Sequence, residues 1–473
     1  MSLSEGKLEI ASPRGNLPVS ARTGALPGDM NLKIVVTSAA TTFLLVLPLY
    51  YFPTDRAAWL LFYASFAVVL FFREVRANLA LTLAIWAVLA IHQIIAITNA
   101  FSHTVYGADK DAYRFYLDAV RYLDEGVRDW HLFSDAAATY SQLLASSFRL
   151  TGTSSLFLGE QFSIMAVALS CVTLVKIGRL LGVGSPFAPL ILLFGLIPSS
   201  IIYCSVTMRE ALQSLLTLLL VYWALRLRDR PGLGPIMAMT FVALALGASH
   251  HGLAIFALFA VVGAIVWAYG GRARRSAILG KVILGTVIVA SLVVALNRGE
   301  HYLHALGALQ SGRVLEFVDD FRMRTFELDA RTNYGVHLNT SSLGSMTLTL
   351  FPVVIYYMFA PFPWQVANLS DAVAFAEAAL RLILLLSTVV AFRRLRGEPR
   401  KRMAFVIFLF ALAEGLWALG TVNWGTAIRH HLPAWGLLVV TGGPLLVVRL
   451  RALANSLIGH GPLALRGGER TVQ

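Results

Sequence analysis

About twelve long apolar runs, each near the ~20 residues that cross a bilayer as helix, divide this chain, and the connections between them are of two kinds. One kind holds little but Arg and Lys: Arg73 and Arg76; Lys176 and Arg179; Arg226, Arg228 and Arg230; Arg272, Arg274 and Arg275; and the stretch from Arg393 to Arg402. The other mixes acids, His, Tyr, Trp and Arg: Asp109, Asp111 and Arg114; Arg209 and Glu210; His250 and His251; and the stretches 321–334 and 423–431. Short basic connections mark the cytoplasmic side of a membrane protein. The mixed ones then lie on the opposite face, where chemistry is expected.

Composition agrees. The chain is 57% hydrophobic and 14% charged over 473 residues, too little polar surface for a soluble protein of this length. The net charge of +13 does not point to nucleic acid, because the excess sits in short inter-helix connections. The two cysteines, Cys171 and Cys204, lie in or beside apolar runs, which argues against a disulfide framework or a Cys-based metal site. Residues 1–31 are polar, with scattered Pro and Gly, and read as a disordered cytoplasmic tail; 451–473 read as a cytoplasmic tail.

The expected architecture is an all-α membrane protein with one polytopic bundle over 32–450. Its spans are 32–52, 57–72, 79–100, 156–175, 186–203, 210–225, 235–248, 252–269, 277–296, 371–392, 404–422 and 432–448. Starting inside, they return both termini to the cytoplasm. The apolar segment 347–364 holds Pro352, Pro361 and Pro363, which interrupt helix hydrogen bonding, and reads as re-entrant or interfacial. An ordinary thirteenth span is the alternative. Two long outer loops, 101–155 and 297–345, carry apolar residues at helical spacing among charges.

Asp109 and Asp111 follow the third span, placed to take a proton from a sugar hydroxyl as a general base or, more plainly, to cap a helix. Arg209, beside Glu210, stands at an outer helix end where positive charge has no topological use; its planar fork suits phosphate, while pairing with Glu210 is the simpler role. Arg429, His430 and His431 open the last span and suit an anionic headgroup. A zinc site would need further ligands from His250 and His251, and no metal or other cofactor is expected. Arg322, Arg324, Asp329, Arg331, Tyr334 and His337 crowd the second loop. Glu377 and Arg381, four apart, share a helix face and pair; Glu414 is an acid inside a span. A lipid diphosphate bearing sugars would use all three kinds of side chain: Arg for the diphosphate, Asp or His for the attacking hydroxyl. A transporter or flippase of lipid-linked glycans is the alternative, and a non-catalytic scaffold a third.

These motifs resemble those of polytopic bacterial exopolysaccharide and O-antigen polymerase-like proteins, and more broadly GT-C superfamily glycosyltransferases. The resemblance rests on Asp109 or Asp111 with Tyr113, on Pro198, Tyr203, Arg209 and Glu210, on Pro361-Phe-Pro-Trp364 ahead of Glu377, and on Gly425 to Pro433 with Arg429 and His430. It implies a GT-C-like fold in the bacterial inner membrane with a periplasmic working face. It implies a polyprenyl-diphosphate-linked sugar donor, with membrane lipids and other polysaccharide-assembly proteins as partners. Asp109 or Asp111 would be the base, and Arg209 and Arg429 the diphosphate contacts. The acidic motif is Asp-Lys-Asp, where many such enzymes have an Asp-Glu or Glu-containing pair. A branch relying on loop Arg and His makes Arg331 and His337 competing catalytic candidates. Tyr113, Glu210, His250, Trp364 and His430 complete the expected substrate contacts.

Overall fold

The computed structural model describes residues 46–108, 111–127, 130–132, 135–184, 186–269, 316, 318–320, 322 and 331–459. The described residues from Thr54 onward belong to one compact unit. The described end of the other, 46–53, is mostly helical and exposes Tyr50 and Tyr51, set edge to face. No strand occurs among the described residues; one isolated bridge joins Asn333 and Asn423.

Among the described residues, besides a single turn at Arg73–Arg76, the helices are α1 (Arg56–Val68), α2 (Leu79–Phe101), α3 (Asp111–Glu125), α4 (Ala136–Thr151), α5 (Leu156–Leu180), α6 (Ala188–Gly195), α7 (Pro198–Tyr203) and α8 (Glu210–Asp229). Then come α9 (Leu233–Ser249), α10 (His251–Tyr269), α11 (Leu343–Phe359), α12 (Leu369–Arg394), α13 (Gly397–Gly420), α14 (Trp424–His430) and α15 (Leu432–Gly459). Among the described residues eight helices are long and apolar enough to cross a membrane: α2, α5, α8, α10, α12, α13, α15 and α1 with its flanking turns, Pro53–Phe71. This is a multi-pass helical membrane protein. Of the twelve expected spans, 32–52 lies largely, and 277–296 wholly, outside the described residues. The 235–248 span is a 17-residue helix, α9. The last helix runs on to Gly459, past the expected end of its span.

Two segments depart from expectation. The 186–203 span is broken into α6 and α7 at Leu196 and Ile197, with Pro198 at the start of α7, where its missing N–H costs nothing. A break among apolar helices leaves backbone groups to be satisfied. Here Trp435 Nε1 donates to the Phe194 carbonyl (3.2 Å) and His92 Nε2 meets the Gly195 carbonyl (3.0 Å). On the other side of the break, Glu377 Oε1 accepts the Ser199 N–H (2.7 Å). The second departure is 347–364: helix α11 runs straight through Pro352, and the chain turns only at Pro361 and Pro363.

The most enclosed helices are α5 and α8, which pack on each other. Around α8 stand α9, α10 and α15, while α12 lies along α15. Small residues permit that last contact: Thr388 and Thr441 share a hydrogen bond (3.2 Å), and a side chain at Gly442 would run into the Leu384 carbonyl. The hairpin of α3 and α4 covers one end of the bundle, burying Ala112 and Phe115 and exposing Tyr113, Arg114 and Leu117. At the opposite end, Arg402 bonds Asp229 (2.6 Å) and the Leu180 carbonyl (2.7 Å), and Arg228 bonds Glu398 (3.0 Å).

Candidate functional site

The site is built on the turn that precedes α8. Residues 204–208 are pinned from several sides. Ser205 Oγ meets His92 Nδ1 (2.8 Å), the Ser163 hydroxyl donates to the Val206 carbonyl (2.8 Å), and the Tyr140 hydroxyl donates to the Met208 carbonyl (3.0 Å). Val206 and Met208 pack with Ala108 and Ala112, which seats the start of α3 against the start of α8. That contact places Asp111 beside Arg209 and Glu210. From the far end of the sequence α14 brings Arg429, its own start capped by Asn423, whose Oδ1 accepts the Thr426 N–H (2.8 Å).

Arg429 is the centre of the arrangement. Its Nε and Nη2 both donate to Glu210 Oε1 (3.1 and 2.9 Å), and its Nη1 donates to Asp111 Oδ2 (2.5 Å). Its guanidinium carbon lies 5.6 Å from the Tyr203 ring centre. Glu210 is buried, whereas the Asp111 side chain is 48% exposed, so Asp111 is the arm that reaches water. Burial works against the Arg429 charge, but Glu210 and Asp111 together hold its pKa above the ordinary arginine value.

Arg209 is placed differently. It donates to the Ser249 carbonyl (3.3 Å) and lies 5.7 Å from the Phe115 ring centre, and no described carboxylate comes within ion-pair distance. Burial lowers its proton affinity, with Glu210 and Asp111 acting in the other direction. Among the described residues it is a cation that ion pairing has not consumed.

An aromatic wall closes the cluster. The His430 ring stacks on Trp417 (centres 3.9 Å apart) and its Nδ1 meets the Thr421 hydroxyl (2.7 Å). His250 sits 4.4 Å from the same indole. Burial, reinforced by Arg429 and Arg209, holds His430 well below the usual imidazole value; burial with Arg209 and His430 does the same for His250. Both rings are therefore neutral near pH 7 and are not the cations a phosphate would seek.

Asp111, Arg209, Glu210, His250, Arg429 and His430 thus come together. Asp109, Arg324 and Asp329 lie outside the described residues. The remaining candidates go elsewhere. Arg331 is committed to Asp371 through two bonds (2.8 and 3.0 Å), and Trp424 Nε1 adds a third to that carboxylate (3.1 Å). With the Asn333–Asn423 bridge, this fastens the end of the second long loop to α12 and α14. Arg322 is buried and donates to the Ala418 and Leu419 carbonyls at the end of α13, a structural C-terminal cap. His337 is exposed on an extended segment. Trp364 is 77% exposed and stacks on Phe362, and Tyr113 is exposed beside Tyr116.

A second layer went unread in the sequence. His431 Nδ1 meets Glu414 Oε2 (2.6 Å) and its Nε2 meets the Tyr357 carbonyl (3.1 Å), both residues being buried. Glu377 and Arg381 do not form the close pair their spacing suggested: Arg381 Nε donates to the Met358 carbonyl (3.0 Å), and Glu377 serves the start of α7. The Trp417 platform also escaped notice, because an aromatic inside an apolar run carries no signal of its own. Among the described residues no three His, Cys, Asp or Glu approach closely enough to hold a metal ion. Comparison with protein-family models, curated proteins and solved structures finds no match to this chain.

Proposed function

We propose that the protein is a membrane glycosyltransferase or polysaccharide polymerase. It would act on a polyprenyl-diphosphate-linked sugar donor at the periplasmic face of the inner membrane, in the synthesis of a cell-surface glycan. The observation that carries this reading is one arginine, Arg429, shared between a buried acid and a solvent-reaching one, with Arg209, which pairs with no described carboxylate, alongside. An arriving diphosphate is met by Arg209 and competes for Arg429, drawing it from Asp111. The freed Asp111 takes the proton of an acceptor hydroxyl as that oxygen bonds to the anomeric carbon. The bond from that carbon to the diphosphate oxygen breaks, and the leaving polyprenyl diphosphate carries its charge onto Arg209 and Arg429. Glu210 keeps hold of Arg429 throughout and positions it.

The test is transfer of labelled sugar from a polyprenyl diphosphate donor by the full chain in membranes. Asp111→Asn should lower turnover about 100- to 10,000-fold while donor binding persists, the range general-base loss produces. Arg209→Gln should weaken donor binding. Undiminished transfer by both variants removes the proposal.

A second reading, a flippase for lipid-linked glycans, draws on Glu377, Arg381, Glu414 and His431. They are buried among the spanning helices, and Glu377 bonds the broken pair α6 and α7, the kind of place where transporters set binding groups. Release of free polyprenyl diphosphate separates the two: a transferase makes it and a flippase does not.

A further inference from the structure

The break between α6 and α7 leaves more than backbone to account for. Between that broken pair and α12 runs a groove of about 320 Å³, near the lower end of the ~300–1,000 Å³ of ligand sites. Leu193, Leu196 and Pro198 form one wall and Ala376 and Leu380 the other; of the nine residues lining it, Glu377 alone is polar. Pro198 and Ala376 are exposed, so the groove opens at the side of the bundle. Glu377 is 5% exposed and held in place by the Ser199 N–H.

Two features say what fits. The walls are aliphatic, so the occupant is hydrocarbon. Glu377, the one polar residue of the lining, brings no positive charge to an anionic headgroup, so the head lies elsewhere. Helix α7 leads from Pro198, on the groove, to Tyr203, against the Arg429 guanidinium. Its six residues cover about 9 Å. The groove and the arginine cluster therefore stand at the spacing of a lipid's first chain segment and its head.

We infer that this groove holds the proximal hydrocarbon of the lipid whose diphosphate sits on Arg209 and Arg429, with Glu377 fixing which end enters. This rests on the donor class proposed above. Bulk phospholipid acyl chains are the competing occupant.

The experiment uses the full chain in nanodiscs of phosphatidylethanolamine and phosphatidylglycerol, with a prenyl diphosphate carrying a diazirine in its chain. Photolabelling should fall on residues 192–198 and 373–380 and be displaced by unlabelled prenyl diphosphate. Ala376→Trp fills the groove from an exposed position and should cut saturable labelling about tenfold, equivalent to about 1.4 kcal/mol of binding. Leu193→Phe, on the opposite wall, should act in the same direction, which guards against one variant failing to fold. Saturable labelling that maps elsewhere overturns the groove and spares the donor class. Diazirine-tagged phosphatidylglycerol labelling the groove undisturbed by excess prenyl diphosphate also overturns it. No saturable labelling of the unaltered chain overturns both readings.

Discussion

Arg429 shows how much one side chain can hold. Removing it would leave the buried Glu210 without compensation, and breaking a buried pair costs about 3–5 kcal/mol, so loss of function in Arg429→Ala would mix folding with chemistry. Asp111, half in water, is the cleaner probe. The neutral imidazole of His430 makes a separate prediction. In the unfolded chain this ring titrates near 6.5; in the fold, burial and the two arginines hold it well below that. Above about pH 6.5 both states are neutral and the ring contributes no pH dependence. As pH falls below that value, the unfolded chain takes up the proton first and stability declines until the folded ring also titrates. The melting temperature of the purified protein should therefore drop on acidification from about pH 6.5 towards 5, before most carboxylates titrate. His430→Gln should flatten that drop in part, leaving what the other buried histidines contribute. Parallel curves for the two proteins would show that His430 is not the group responsible. Which residues assemble was partly legible in the sequence: Arg209, Glu210 and Arg429 stand out because charge at the end of an apolar run is expensive without purpose. That Arg331 is locked was not legible. Its partner Asp371 is forty residues on, buried at the head of a different helix, and nothing local announces the pair.

Among elements, the sharpest case is α12 against α15. A Cβ at Gly442 meets backbone, the Leu384 carbonyl, which cannot step aside; at Gly443 it meets the tip of Leu190, which can rotate. Gly442→Ala should cost about 1–3 kcal/mol, as overpacking does, and Gly443→Ala distinctly less. Reversible unfolding in mixed detergent micelles would measure both, and equal losses would deny the close backbone approach. The Gly-Gly pair was visible in the sequence, but not which helix it admits. The break at Pro198 was also visible, as a proline within an apolar run. An unbroken reading prevailed because the three side chains that repair the break, His92, Glu377 and Trp435, come from distant helices. Helix α11 errs the other way: Pro352 looked like an interruption, yet one lost hydrogen bond inside a packed apolar helix is tolerated.

For the whole molecule, the two ends of the bundle carry opposite chemistries. One holds Asp111, Arg209, Glu210 and Arg429; the other holds the Arg228–Glu398 and Arg402–Asp229 pairs. The proposed orientation puts the second end, with its basic connections, on the cytoplasmic side. Cys171 and Cys204 are both buried, so added cysteines report against a quiet background. In intact cells an impermeant maleimide should modify Tyr113→Cys and spare Arg400→Cys until the membrane is opened. The reverse pattern would invert the molecule and its working face. The first end depends on where α14 is set. Arg429, His430 and His431 are consecutive, and each goes to a different set of partners: two acids, an indole, and a buried acid of α13. Successive residues on a helix are turned by about 100°, so one inserted or deleted residue between Asn423 and Pro433 would deliver the guanidinium to the indole and an imidazole to the acids. Relatives of this chain are therefore free to drift in identity around that stretch, but hardly in its length.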